Sequence, residues 1–126
     1  MHRRGISINQ KNMHELGIVK HVIKTVSDIA AENGLSRVSR VTLTVGEVSG
    51  VVEYQMLDCW DWFSKKTELV KDCVLTLEPL PAVTWCTACK REYETVKYGR
   101  TCPFCSSPET YLFRGNECII KEIEGE

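Results

Sequence analysis

The sequence holds no apolar run approaching the ~20 residues that a membrane-spanning helix needs. It has no excess of either charge. Sixteen Lys and Arg against 17 Asp and Glu give a formal net charge of −1, which argues against a general electrostatic binder of nucleic acid. No internal repeat or low-complexity tract is visible, and no Gly-rich phosphate loop. Histidine is scarce: the three are His2, His14 and His21, all near the start. No Ser/His/Asp triad can be built from them. The early cations Arg3, Arg4 and Lys11 are followed by no apolar h-region, so no secretory leader is read. A soluble, cytoplasmic protein without membrane or nucleic-acid partners is the expectation. The one abundance is cysteine, with seven in 126 residues. In a reducing compartment these are metal ligands or buried thiols rather than disulfides.

Composition is otherwise that of a globular chain, with 43% hydrophobic and 26% charged residues. Residues 1–12 carry only positive charge and little apolar periodicity, and they read as a flexible extension. Leu16, Val19, Val22, Ile23, Val26, Ile29 and Ala30 recur at three- and four-residue steps, one stripe of an amphipathic helix. Asn12 with Glu15 forms a candidate capping box, and Asn33-Gly34 is a stop signal. Val41–Val45 alternates as a half-buried strand. Tyr54, Met56, Leu57, Trp60 and Phe63 mark a second helix over roughly 53–67. One of its aromatics, from Trp60, Trp62 and Phe63, is left over for a partner. A second strand spans 73–77 and ends at Pro79 and Pro81, and a last strand spans 118–123. The fold class is therefore α+β: two helices packed on a small three-stranded sheet, with an inserted zinc-ribbon-like module. The domain reading assigns 1–12 to the extension, 13–81 and 114–126 to the α/β domain, and 82–113 to the module.

Within the module, Cys86-x-x-Cys89 and Cys102-x-x-Cys105 are two pairs separated by 12 residues. Two residues between cysteines make a tight turn that aims both sulfurs at one ion. Two such turns supply the four tetrahedral thiolates zinc prefers, with no position open to substrate. Iron with the same ligands and a pair of redox dithiols are the other readings. Short hairpin segments are expected at 83–85 and 93–98. Trp85, Tyr93, Tyr98 and Phe104 pack the module or stack on bases. Lys90, Arg91, Lys97 and Arg100 outnumber Glu92 and Glu94, which offsets the negative charge of a zinc–thiolate centre. Cys59, Cys73 and Cys118 read as core thiols. A redox role for Cys73 with Cys118 requires them to be cross-strand neighbours.

Met13-His14-Glu15-Leu16, the segment Val41 to Val51, the two C-x-x-C pairs and Gly115 to Glu124 occur in one order. Together they resemble the HypA/HybF family, nickel metallochaperones of [NiFe]-hydrogenase maturation. The resemblance covers residues 13–126. It implies an α/β nickel-binding domain with a zinc module, and structural zinc on Cys86, Cys89, Cys102 and Cys105. It implies nickel on Met13, His14 and Glu15. The implied partners are the GTPase HypB and the hydrogenase large subunit, and some members serve urease, which adds urease accessory proteins. Nickel is then transferred cargo moved by ligand exchange, and the protein is not an enzyme. Square-planar Ni(II) favours the nitrogen donors that a terminal amine, backbone amides and an imidazole supply.

The chain departs from the family in one respect: the motif's methionine is residue 13 instead of residue 1. Met13 supplies an amine only if it is the native start, which is the favoured reading. The other is a genuine extension, with nickel held by His14, Glu15 and further groups. His21 lies seven residues beyond His14, about 10.5 Å along a helix axis, too far to share one ion, and reads as a half-exposed helix residue. Two other functions stay open: a zinc-ribbon nucleic-acid binder using Lys90, Arg91, Lys97 and Arg100, and a protein adaptor without nickel chemistry. A monomer or weak homodimer is expected.

Overall fold

The computed structural model describes residues 15–126. The extension at 1–12, the Asn12 cap, Met13 and His14 lie outside the described residues. Helix α1 spans Glu15–Glu32 and buries Val19, Val22, Ile23, Val26, Ile29 and Ala30 as periodicity predicts, but its first buried residue is Ile18, while Leu16 is exposed. It stops because Gly34 turns left-handed at φ 67°. There Leu35 N–H reaches back to the Ala30 carbonyl at 2.8 Å, and the Asn33 side-chain amide donates to the Ile29 carbonyl at 2.8 Å. Carbonyls that the last turn would leave orphaned are thereby satisfied.

Strand β1 (Val38–Gly46) follows, then α2 (Glu53–Phe63) and β2 (Val74–Leu80). After a second small unit the chain returns as β6 (Cys118–Gly125). The first sheet has the order β2-β1-β6. β1 is central, parallel to β2 and antiparallel to β6. Its Val41, Leu43 and Val45 join Met56 and Trp60 of α2, Ile120 and Ile123 of β6 and the α1 stripe in one core. This is the expected pair of helices on a three-stranded sheet.

Two element ends differ from the sequence reading. The α-helix of α2 stops at Phe63, and 64–66 tighten into a 3-10 turn. Strand β2 runs through Pro79, which lies opposite Val45. β2 is an edge strand, so a residue without an N–H is tolerated on its open side. Trp60 is buried, and its indole N–H donates to the Cys73 carbonyl at 3.0 Å. Phe63 is half-buried against the core. The leftover aromatic is Trp62, 61% exposed, with the Lys66 ammonium 4.3 Å from its ring centre.

The second sheet, ordered β4-β3-β5, joins β3 (Val83–Cys86) with β4 (Arg91–Glu94) and β5 (Thr110–Arg114). Both pairings are antiparallel. Residues 95–98, expected in a hairpin, instead form a single helical turn, α3 (Thr95–Tyr98). The hydroxyls of Thr84 and Thr95 lie 2.7 Å apart, and Tyr93 Oη donates to the Gly99 carbonyl at 2.8 Å, which holds this turn beneath β3.

The two sheets meet backbone to backbone. Gly46 N–H donates to the Glu117 carbonyl at 2.7 Å and Val48 N–H to the Gly115 carbonyl at 2.8 Å. Glu47 Oε1 accepts the Ala82 N–H at 2.8 Å, and Glu117 Oε1 accepts those of Gly115 and Asn116. Each crossing between the sheets is thus pinned by a carboxylate on backbone amides, a charge-assisted contact stronger than a neutral one.

Candidate metal centre

The first C-x-x-C pair lies in the turn from β3 to β4. Cys86 ends β3, Lys90 N–H returns to the Cys86 carbonyl at 2.9 Å, and Lys90 itself is left-handed at φ 59°. The second pair repeats the geometry. Ser106 N–H returns to the Cys102 carbonyl at 2.8 Å, with Ser106 at φ 63°. In each turn a backbone amide also points at the leading sulfur: Cys89 N–H at 3.5 Å from Cys86 Sγ, and Phe104 N–H at 3.4 Å from Cys102 Sγ. The two-residue spacing produces these turns, and amides aimed at sulfur favour the thiolate.

The four sulfurs converge. Cys86 and Cys105 Sγ lie 3.6 Å apart, as do Cys89 and Cys102 Sγ, and all four lie within 4.8 Å of one another. A tetrahedron of sulfurs ~2.3 Å from a zinc ion has edges of ~3.8 Å. The donor set therefore fits a four-thiolate metal site, closed by protein ligands. Cys86 and Cys102 are buried, Cys89 is half-buried and Cys105 is exposed. Burial and shared hydrogen bonds with neighbouring thiols push Cys89 up to about 12. Burial opposes ionisation of Cys102 too, but the amides of Cys105 and Phe104 together with hydrogen bonds from the Cys89 and Cys105 thiols outweigh it and bring this thiol down to about 7. Among the described residues, no other group of three or more His, Cys, Asp or Glu side chains is placed to hold a metal.

Of the aromatics around this centre, Tyr93 packs into its small core, whereas Tyr98 and Phe104 are exposed. Tyr93 is buried and meets Tyr98 edge-on at 6.2 Å. Phe104 is exposed, but the Arg91 guanidinium lies 4.9 Å over its ring. The remaining thiols belong elsewhere: Cys73 and Cys118 are buried and Cys59 half-buried, all in or against the main core. Cys73 and Cys118 are not cross-strand neighbours. β1 lies between their strands, with Val74 beside Arg40 at one end and Cys118 beside Val45 at the other.

Of the three motif residues at the chain start, Glu15 alone is described. It opens α1, and its Oε2 accepts the Val52 N–H, just before α2, at 3.1 Å. One carboxylate oxygen thus ties the starts of the two helices together, near both positive helix ends. Nothing in the sequence signals this contact, which spans 37 positions. His21 is exposed on α1.

Residues 13–125 match the family model described as hydrogenase/urease nickel incorporation, metallochaperone, hypA. The chain belongs to the HypA/HybF family of hydrogenase-maturation nickel metallochaperones. It is similar to the hydrogenase maturation factor HybF of Klebsiella pneumoniae, with 32% identity over 114 residues, 90% of this chain and all of the relative. It is 33% identical to hydrogenase maturation factor HypA of Dehalococcoides mccartyi over 112 residues, 89% of this chain and 93% of the relative. The solution structure of the Ni metallochaperone HypA from Helicobacter pylori shares its fold. The TM-score is 0.70 at 23% identity, covering 90% of this chain and 97% of that one. Residues 1–12 precede the part matched by the HypA/HybF model.

Proposed function

We propose that Cys86, Cys89, Cys102 and Cys105 hold a structural zinc ion, while Met13, His14 and Glu15 carry nickel as cargo. The observation that carries this division is the convergence of four sulfurs within 4.8 Å. Four protein ligands complete a tetrahedral site and leave no position for a metal in transit. A delivery site must be easily vacated, which suits a few nitrogen donors better than a closed four-thiolate cage. Glu15 contributes chiefly by position: with one oxygen on Val52 N–H, it ties the first turn of α1 to the start of α2. The separate second sheet supports a zinc module at 82–113 beside a nickel-binding domain of 13–81 and 114–126, although Arg114 pairs with Val83 in that second sheet. Nickel moves by ligand exchange, without a catalytic residue. The acceptors are the GTPase HypB and the hydrogenase large subunit, with urease accessory proteins as a further outlet, and delivery takes place in the cytoplasm.

The test is a Ni(II) titration of wild type and His14→Ala, made as chains beginning at Met1 and at Met13, with zinc content measured in parallel. The expected result is nickel loss in His14→Ala with zinc retained, and tighter nickel binding by the chain beginning at Met13. Cys102→Ser should lose zinc and unfold 82–113, because binding energy at such a site is also folding energy. Equal nickel affinity of wild type and His14→Ala removes His14 from the mechanism.

A further inference from the structure

Residues 46–52 form a short strap from the end of β1 to the start of α2. Its first end grips the second sheet. Gly46 opposite Leu80 is the last rung of the β1–β2 ladder, and Glu47 N–H donates to the Leu80 carbonyl at 2.8 Å. Past that rung Pro81 offers no N–H. Ala82 N–H is the next donor on the way into the second sheet, and Glu47 Oε1 accepts it at 2.8 Å. Val48 N–H donates at 2.8 Å to the Gly115 carbonyl, on the way out. In the middle of the strap, Ser49 N–H donates to the Gly46 carbonyl at 3.1 Å. Ser49 Oγ accepts Val51 N–H at 3.3 Å, and Val51 packs against the main core. These contacts leave the turn little slack. At the far end Val52 N–H donates to Glu15 Oε2 at 3.1 Å, and the Val52 carbonyl accepts Met56 N–H at 3.0 Å. One strap thus carries two carboxylate–amide contacts, one to the entry of the second sheet and one to the first residue of α1. Glu47 is exposed, so its side chain serves here as an acceptor and not as core packing.

We propose, resting on the reading of Met13, His14 and Glu15 as the nickel site, that Glu47 is a positioning residue for that site. It fixes the strap to Ala82, and the strap, through Val52 N–H, fixes the Glu15 carboxylate. A glutamate side chain that is free to rotate loses rotamer freedom when it takes a metal. One already held through Oε2 has less to lose and keeps its other oxygen for the ion, so holding it beforehand tightens binding. Both contacts join a carboxylate to a backbone amide, which is stronger than a neutral hydrogen bond. Glu47 acts on nickel only through residues 48–52. The four cysteine ligands lie beyond the strap, at 86–105, so zinc is held independently of it.

The experiment is a calorimetric Ni(II) titration of the zinc-loaded full chain, with zinc content and urea midpoint measured on each variant. Glu47→Ala should weaken nickel at least about fivefold, the low end of coupling between linked sites, and retain zinc. Glu47→Gln, whose amide oxygen still accepts the Ala82 N–H, should recover most of the loss. Val52 is extended at φ −94° and ψ 109° at the N-cap of α2. Val52→Pro fits that backbone and removes the N–H given to Glu15. It should also weaken nickel. With Val52→Pro in place, Glu47→Ala should lower the urea midpoint as before but cost no further nickel affinity. A merely structural Glu47 would weaken nickel equally in both backgrounds, and that result overturns the proposal. So does nickel affinity of Glu47→Ala within about fivefold of wild type. Should Val52→Pro not fold, the Val52 amide resonance decides: it must move in Glu47→Ala, and an unmoved resonance overturns the proposal. His14→Ala separates the two levels. Nickel loss in His14→Ala beside an unaffected Glu47→Ala overturns the role of Glu47 alone. Wild-type affinity in His14→Ala overturns the nickel site itself, and the role of Glu47 with it.

Discussion

Gly46→Ala tests the junction between the sheets most directly. A Cβ built at Gly46 falls inside the Gly115 carbonyl and lies 2.8 Å from Asn116 N. Both are backbone, so no side chain can swing aside. On the far side Gly115 is packed as tightly, since its own Cβ position overlaps Ala82 Cα. The chain at 114–117 must therefore move away from β1, against the contacts that hold it there. Those include Gly46 N–H to Glu117 and Val48 N–H to Gly115. Overpacking of this kind costs about 1–3 kcal/mol, and each weakened backbone bond adds about 0.5–1.5 kcal/mol. A loss of about 2–6 kcal/mol follows, a large share of the roughly 5–15 kcal/mol available to such a domain. Urea unfolding at fixed free zinc, followed by tryptophan fluorescence, measures it. Trp60 reports the main core and Trp85 the second sheet, so Trp85→Phe separates their signals. A loss below about 1 kcal/mol would refute the rigid contact inferred here.

Two other perturbations have determined signs. Ser64 is fully buried, and among the described residues its hydroxyl has no hydrogen-bond partner. Ser64→Ala removes an uncompensated polar group and should raise stability by about 1 kcal/mol, or Tm by about 3–5 °C in a thermal scan. Burial pushes the Cys73 thiol up to about 11. An unfolded thiol ionises near the usual value, so the unfolded state loses its proton first as pH rises. Stability contributed by the neutral thiol is full below about pH 9 and declines toward pH 11, by at most about 2 kcal/mol after allowance for partial solvation. Comparing urea midpoints of wild type and Cys73→Ala across that range checks it: the variant should lose less, and equal slopes would contradict the assignment.

Local pattern made much of the fold legible. The α1 stripe and the Asn33-Gly34 stop follow from helical periodicity and the left-handed freedom of glycine. The paired cysteines announce two identical turns because a two-residue spacing leaves the backbone few alternatives. Structure departs from local pattern where a local rule meets a tertiary exception. Pro79 ends a central strand but not an edge strand. Residues 95–98 look extended, yet the Thr84–Thr95 and Tyr93–Gly99 contacts bend them into a turn. Strand β5 follows the second cysteine pair, where Tyr111, Leu112 and Phe113 before Gly115 form a β-prone run that cysteine spacing does not signal.

By itself the sequence determined family, helices, main strands and the candidate metal ligands, because periodicity, spacing and ordered motifs are properties of neighbouring residues. Only the tertiary structure decided which sulfurs converge, that Cys73 and Cys118 lie at opposite ends of the sheet, and that Glu15 spends an oxygen on Val52. It also joined Glu15 to the entry of the second sheet through residues 46–52. Each of these depends on contacts between residues far apart in the chain, which packing of the whole core selects and no local pattern encodes.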